Sequence, residues 1–172
     1  MRESIAVPTR VLTEWKQLDA EPGAFSMSAW RGVNIYIWYE PSLEIVARID
    51  RATEARRKEW TGVISGVHIV APNVAPPDTE LRAALVDMAN RWGDNTACIA
   101  AVLESSGLVG LALRSVVTGI TMVMPKHYRV KVFDTLEPCA DWVAEQSSKH
   151  NQSYDPAELL VVLKHARRAA GP

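Results

Sequence analysis

A strand–helix–strand–helix succession within residues 96–143 constrains the fold of this chain more than any other feature. An apolar strand-like run at 96–103 leads through a turn into a helical segment at 108–124. A short basic strand at 127–133 and a helix capped by Asp134 follow. Strands that alternate with helices of this length predict crossover connections and a mostly parallel sheet. This region therefore predicts an α/β fold.

The preceding sequence predicts three more strands and two more helices. Apolar runs at 25–30 and 34–39 are close enough to form a hairpin, and the run at 63–71 is a third strand. A helix begins after Pro41-Ser42, and Asp78 is a natural N-cap for another. The predicted order is β-β-α-β-α-β-α-β-α, a mostly parallel mixed sheet with helices packed on it and the hairpin as an antiparallel edge.

Three segments are predicted along the chain. Residues 1–24 form an N-terminal extension, residues 25–146 form the domain, and residues 147–172 form a linker and a C-terminal amphipathic helix capped by Asp155. The extension is predicted to be helical because its apolar residues recur at helical spacing: Val11, Leu12, Trp15 and Leu18.

The composition excludes several classes of protein. With 172 residues, 48% of them hydrophobic, the chain is long enough for a substantial core, and its net charge of −1 gives no attraction to nucleic acid. No apolar run reaches the roughly 18 residues of a membrane span, and the charged N-terminus lacks the apolar core of a signal peptide. Cys98 and Cys139 lie within predicted elements, which indicates buried free thiols and a cytoplasmic location.

Three stretches of the chain carry a resemblance to a known family. They are residues 97–104 (ACIAAVLE), 112–120 (ALRSVVTGI) and 130–137 (VKVFDTLE). These stretches resemble the STAS domain, the fold of bacterial anti-sigma-factor antagonists and of the soluble tails of sulfate transporters. The resemblance covers about residues 25–146 and is closest to a divergent STAS-like group of bacterial proteins. It implies a regulatory module that binds other proteins.

The turn Glu104-Ser105-Ser106-Gly107 is similar to the Asp-Ser-Ser-Gly turn whose first serine is phosphorylated in the antagonists of that family. Hydroxyls and free amides at a helix N-terminus can accept an anion. The family turn follows the third strand, whereas this one follows the fourth predicted strand. We therefore predict that the serines cap the helix, with a phosphosite or anion-binding turn at Ser105, Ser106 and Gly107 as the alternative.

No group of residues in the sequence is arranged for catalysis. The four histidines are scattered, and glycine-rich phosphate loops, nucleophile elbows and paired cysteine motifs are all missing. His68, in the middle of a predicted strand, is interpreted as a hydrogen-bonded core histidine in preference to a catalytic base. We expect no enzymatic activity, no metal and no cofactor.

The segment at 108–124 is apolar over roughly two-thirds of its circumference, which is more than one sheet contact can bury. We predict that it forms an interface with a second copy or another protein, through Val109, Leu113, Val116, Val117 and Ile120. The alternative is that the ends of the same chain cover it.

The leading functional hypothesis is accordingly a non-catalytic, self-associating interaction module. A small-ligand domain for lipid or nucleotide, with the serine turn and the loop at 72–77 lining its mouth, is the second hypothesis. A phosphorylation switch at Ser105 is the third.

Overall fold

The structure is a computed structural model that describes residues 9–123 and 129–171. In chain order the elements are α1 (Thr9–Leu12), β1 (Trp15–Glu21), β2 (Phe25–Trp30), β3 (Val33–Trp38), α2 (Leu43–Glu59), β4 (Ile64–Val70), α3 (Thr79–Trp92), a 3-10 turn (Gly93–Asn95), β5 (Thr96–Leu103), α4 (Gly107–Val123), β6 (Val130–Phe133), α5 (Leu136–Ser148) and α6 (Pro156–Ala169).

The six strands form one mixed sheet in the order β1-β2-β3-β4-β5-β6, which confirms the predicted α/β class. The pairs β1–β2 and β2–β3 are antiparallel, and the remaining pairs are parallel. The three crossovers from β3 to β6 advance in one direction across the sheet. Because such crossovers are right-handed, α2, α3 and α4 lie on the same face. Helices α5 and α6 cover the opposite face.

The prediction of a helical N-terminal extension is wrong for the part that forms β1. This strand adds an antiparallel edge to the sheet, so the predicted boundary at residue 24 does not separate it from the domain. Trp15 and Leu18 are three residues apart, and in a strand this spacing places them on opposite faces. Trp15 packs against the core under α6, and Leu18 packs against the core under α2. A spacing typical of one helix face thus belongs here to a strand whose side chains pack on both sides of the sheet.

The C-terminal helix is part of the main core. Leu159, Val162 and Leu163 of α6 have no accessible surface, and the helix packs on α5 and β3. A hydrogen bond of 2.8 Å between the hydroxyls of Ser65 on β4 and Ser147 on α5 joins the sheet to α5. The described part of this segment, residues 147–171, therefore packs into the same core as the sheet, across the predicted boundary at residue 146.

Most of the predicted helix starts are confirmed. Three side chains accept a backbone N–H at the start of their helices: Ser42, Asp78 and Asp155. The predicted cap at Asp134 is wrong by one residue, because Thr135 is the N-cap of α5. The Asp134 carboxylate instead forms an ion pair with Arg114 of α4.

Both cysteines are buried free thiols, as predicted. Burial raises the pKa of Cys98 to about 11 and that of Cys139 to about 12, so both thiols stay protonated. Among the helices that the structure describes, none is both long and apolar enough to cross a membrane.

Candidate functional site

An apolar cavity of about 200 Å³ lies between the sheet and the two helices α3 and α4. Its floor comes from side chains on one face of the parallel strands: Tyr36, Trp38, His68, Ile99 and Ala101. Its walls come from α3 and α4: Leu85, Met88, Ala89, Trp92, Leu113, Val116, Val117 and Ile120. Val74 and Pro77 of the loop after β4 close one end, and Asn95 and Thr96 line the other.

Small residues in the middle of the floor leave room for this cavity. Gly66 of β4 and Ala101 of β5 face α3 and α4, where larger side chains would fill the space. A Cβ built at Gly66 would have its nearest neighbour, Nε2 of His68, at 3.5 Å, which is an ordinary contact distance. The opposite face carries Val67, Ile69 and Val102 and is filled by α5 and α6. The two faces therefore differ in packing although both are apolar.

His68 supplies a polar group inside the cavity. Its ring stacks on Tyr36 with centroids 4.5 Å apart, and it lies nearly parallel to Trp38 at 6.0 Å. The indole Nε1–H of Trp38 donates a hydrogen bond of 3.2 Å to Nδ1 of His68. The ring is enclosed by protein, and the surface that it keeps faces the cavity. The sequence prediction of a hydrogen-bonded interior histidine is confirmed.

Burial determines the protonation state of this histidine. Desolvation lowers the pKa of His68 from 6.5 to about 4, because the imidazolium form loses its hydration inside the apolar cavity. The imidazole is therefore neutral at physiological pH. Burial also raises the pKa of Tyr36, whose hydroxyl accepts a hydrogen bond from Asn34 and contacts Thr53, so this phenol stays protonated as well.

The other hydroxyl groups of the lining bond within the protein. Thr96 donates to the carbonyl of Trp92 and Thr121 donates to that of Thr118. Arg57 is the one cation in the described lining, and its guanidinium lies 5.0 Å from the Trp92 ring. The indole N–H of Trp92 donates to Asp50 at 2.7 Å and ties α3 to α2. Trp92 thus anchors α3 to α2.

The structure corrects which side of α4 faces outward. Leu113, predicted to lie at an interface, is 4% exposed and lines the cavity together with Val116, Val117 and Ile120. Val109 alone of the five predicted interface residues is substantially exposed. The outward-facing apolar residues are instead Leu108, Leu111 and Met122, which are 84%, 64% and 79% exposed. Helix α6 lies on the other face of the sheet and does not cover them.

The serine turn lies beside the cavity end but does not line it. The Ser105 hydroxyl accepts a hydrogen bond of 3.2 Å from the amide of Asn73, in the loop after β4. Gly110 is buried against the carbonyl of Ser105, which a Cβ would approach to 2.5 Å. The Ser105 side chain therefore links the turn before α4 to the loop after β4. The prediction that this side chain caps α4 is wrong, because its hydrogen bond is to Asn73. Ser106 and Gly107 are exposed.

Glu104, the acidic residue of the serine turn, binds the C-terminal helix. Its carboxylate accepts hydrogen bonds from Nε and Nη2 of Arg167 at 3.0 Å each. Nη1 of Arg167 also donates to the Tyr39 hydroxyl and to the carbonyl of Gly171, both at 2.8 Å. The bonds to Glu104 raise the pKa of Arg167. This cluster fastens α6 to the carboxyl ends of β3 and β5.

Replacement of Arg167 by alanine is expected to lower the free energy of unfolding by about 2–3 kcal/mol. The side chains of Arg167 and Glu104 are 22% and 24% exposed, so the cost falls between those of surface and buried ion pairs. Urea unfolding monitored by circular dichroism measures the change. Arg168→Ala is the matched control, because Arg168 is exposed and its guanidinium bonds to a carbonyl of its own helix. Equal stabilities of the two variants would contradict this role of Arg167.

The sequence contained part of the signal for the cavity. Gly66 and His68 alternate with apolar residues along one strand, but nothing in the local sequence shows that α4 stands away from the cavity floor.

In the part of the chain that the structure describes, no three histidine, cysteine or acidic side chains meet in a metal-binding group. Compared with known proteins, the chain matches no family model and is similar to no curated protein.

Proposed function

We propose that this domain is a non-catalytic module that binds a small, largely apolar ligand between its sheet and helices α3 and α4. The observation that carries the proposal is the cavity, which is apolar on nearly all sides and is lined by the strands and helices of the fold. Apolar surface of this extent is ordinarily packed in a globular domain. Apolar pockets with a few placed polar groups are the usual form of small-molecule sites.

The size and chemistry of the cavity limit the ligand. An apolar cavity of about 150 Å³ stays dry and binds benzene, so about 200 Å³ suits a somewhat larger apolar group, such as a substituted ring or a short acyl chain. A nucleotide fits poorly because phosphates need several cations or free amides, and the described lining offers Arg57 alone as a cation. A lipid-like ligand is therefore the better of the two ligand classes expected from the sequence.

Titration with cumene (isopropylbenzene) tests this function. Cumene is expected to give saturable shifts of the methyl resonances of Ile99, Leu113 and Val117 in NMR spectra, and to raise Tm. The exposed methyl groups of Leu108 and Leu111 serve as internal controls and should not shift. Shifts confined to these exposed groups, or no saturation up to the solubility limit, would reject the cavity as a binding site.

A second function is favoured by the exposed apolar residues of α4. Leu108, Leu111 and Met122 lie on the outer side of the helix that closes the cavity. An apolar strip of this kind is typical of protein contacts, and self-association of a STAS-like regulatory module would cover it. Native mass spectrometry of protein from its own host distinguishes the two functions, because a dimer and a ligand adduct differ in mass. A phosphorylated chain, the third hypothesis from the sequence, would have its own mass.

A further inference from the structure

We propose that His68, held by Trp38, is the polar anchor of the cavity and selects an uncharged ligand that carries an oxygen acceptor, such as a ketone or an ester. This inference rests on the proposed binding of an apolar ligand and specifies which ligand class the site prefers. It follows from the hydrogen bond that His68 makes within the protein and from the side of the ring that this bond leaves free.

The bond from Trp38 determines the tautomer of His68. An indole N–H can only donate, so Nδ1 of His68 acts as the acceptor and carries no proton. The proton of the neutral ring must then be on Nε2. Nε2 lies 3.5 Å from the position that a Gly66 Cβ would take, in a space bordered by Cγ1 of Ile99, and no hydrogen bond joins Nε2 to a described residue. Nε2 is thus a donor on the floor of the cavity, in addition to the N–H groups of Arg57 and Asn95 elsewhere in the lining.

The surroundings of this donor favour an uncharged acceptor. Tyr36, Trp38 and Ala101 lie around the imidazole, and none of them compensates a ligand charge. A carboxylate at this depth would lose its hydration and gain a single hydrogen bond from a neutral group, which is unfavourable. A carbonyl oxygen loses less hydration and gains the same bond. Pure hydrocarbons leave the N–H unsatisfied.

Three ligands of equal size test the anchor: cumene, acetophenone and benzoate. They differ in having a methyl group, a carbonyl oxygen or a charged carboxylate at equivalent positions. The measured quantity is the ratio of the Kd of cumene to that of acetophenone in the wild-type protein and in two variants. His68→Phe removes the donor and retains a planar ring, whereas His68→Gln retains an N–H donor.

His68→Phe is expected to lower this ratio by about 2- to 12-fold, the range of one neutral hydrogen bond, while cumene binds within about twofold of wild type. His68→Gln should retain part of the preference, and benzoate should bind more weakly than acetophenone. In the wild-type protein the ¹⁵N resonance of Nε2 of His68 should move with acetophenone and not with cumene, a readout that does not depend on the folding of any variant.

Three results would each overturn the proposed role of His68. They are an unchanged Kd ratio in His68→Phe, an Nε2 resonance that does not shift when acetophenone is added, and benzoate binding as tight as acetophenone binding. In these cases cumene binding would still support the apolar cavity. If neither cumene nor acetophenone binds, the proposed function and the anchor are rejected together.

Discussion

Replacement of Ala101 by leucine is expected to eliminate cumene binding from a protein that remains folded. Ala101 lies on the cavity floor next to His68 in the register of β4 and β5, so an isobutyl group there occupies the space of the ligand. We expect a loss of affinity of more than tenfold. Burial of the added groups contributes about 2 kcal/mol to stability if the cavity accepts them, so Tm should rise or stay unchanged. Calorimetry and NMR titration measure both effects.

Ala112→Leu is the matched control for this substitution. It adds the same group to α4 at an exposed position outside the cavity lining, so neither cumene affinity nor Tm should change appreciably. A folded Ala101→Leu protein that binds cumene with wild-type affinity would show that the ligand lies elsewhere.

The sequence predicts the class of fold because strand and helix periods are local properties. The apolar run of β5, the caps at Ser42 and Asp78 and the spacing of α3 each depend on neighbours within a few residues. The order of elements then limits the topology through the handedness of crossovers. The same reasoning fails at β1, where Trp15 and Leu18 match a helical spacing but contact different layers of the molecule.

The candidate site could be predicted only in part because it depends on how far α4 stands from the sheet. The wide apolar arc of α4 correctly indicated that one sheet contact does not bury the helix. It did not show which side faces inward, since Leu108 and Leu113 are equally apolar and lie on different sides. His68 was recognisable as an interior histidine. Its role as a donor to the cavity depends on Trp38, a residue on the neighbouring strand.

The likeness of residues 104–107 to a phosphorylated turn shows a further limit of local patterns. The sequence shows an acidic residue, two serines and a glycine at the start of a helix. In the fold, Glu104 is bound by Arg167 of α6 and Ser105 by Asn73 of another loop. Both partners are more than thirty residues away, so no local pattern could reveal that these groups fasten the structure together.

Aspartate substitutions on the inner and outer sides of α4 are expected to differ strongly in their effect on the free energy of unfolding. Leu113→Asp should unfold the protein or cost about 4 kcal/mol or more, because a buried leucine is lost and an unpaired carboxylate takes its place. Val117→Asp should act in the same direction, since Val117 also lines the cavity. Leu108→Asp and Leu111→Asp should change the free energy of unfolding by less than about 0.5 kcal/mol, because both side chains are exposed.

Circular dichroism and light scattering on the same four variants test the orientation of α4 and self-association separately. A wild-type dimer that becomes a folded monomer on Leu108→Asp and Leu111→Asp supports an interface on the outer side of α4, since a charge is costly in an apolar contact. Wild-type stability of Leu113→Asp would contradict the inward orientation of this residue. A wild-type protein that stays monomeric at high micromolar concentration would reject self-association and leave ligand binding, which involves only the inner side of α4, as the remaining proposed function.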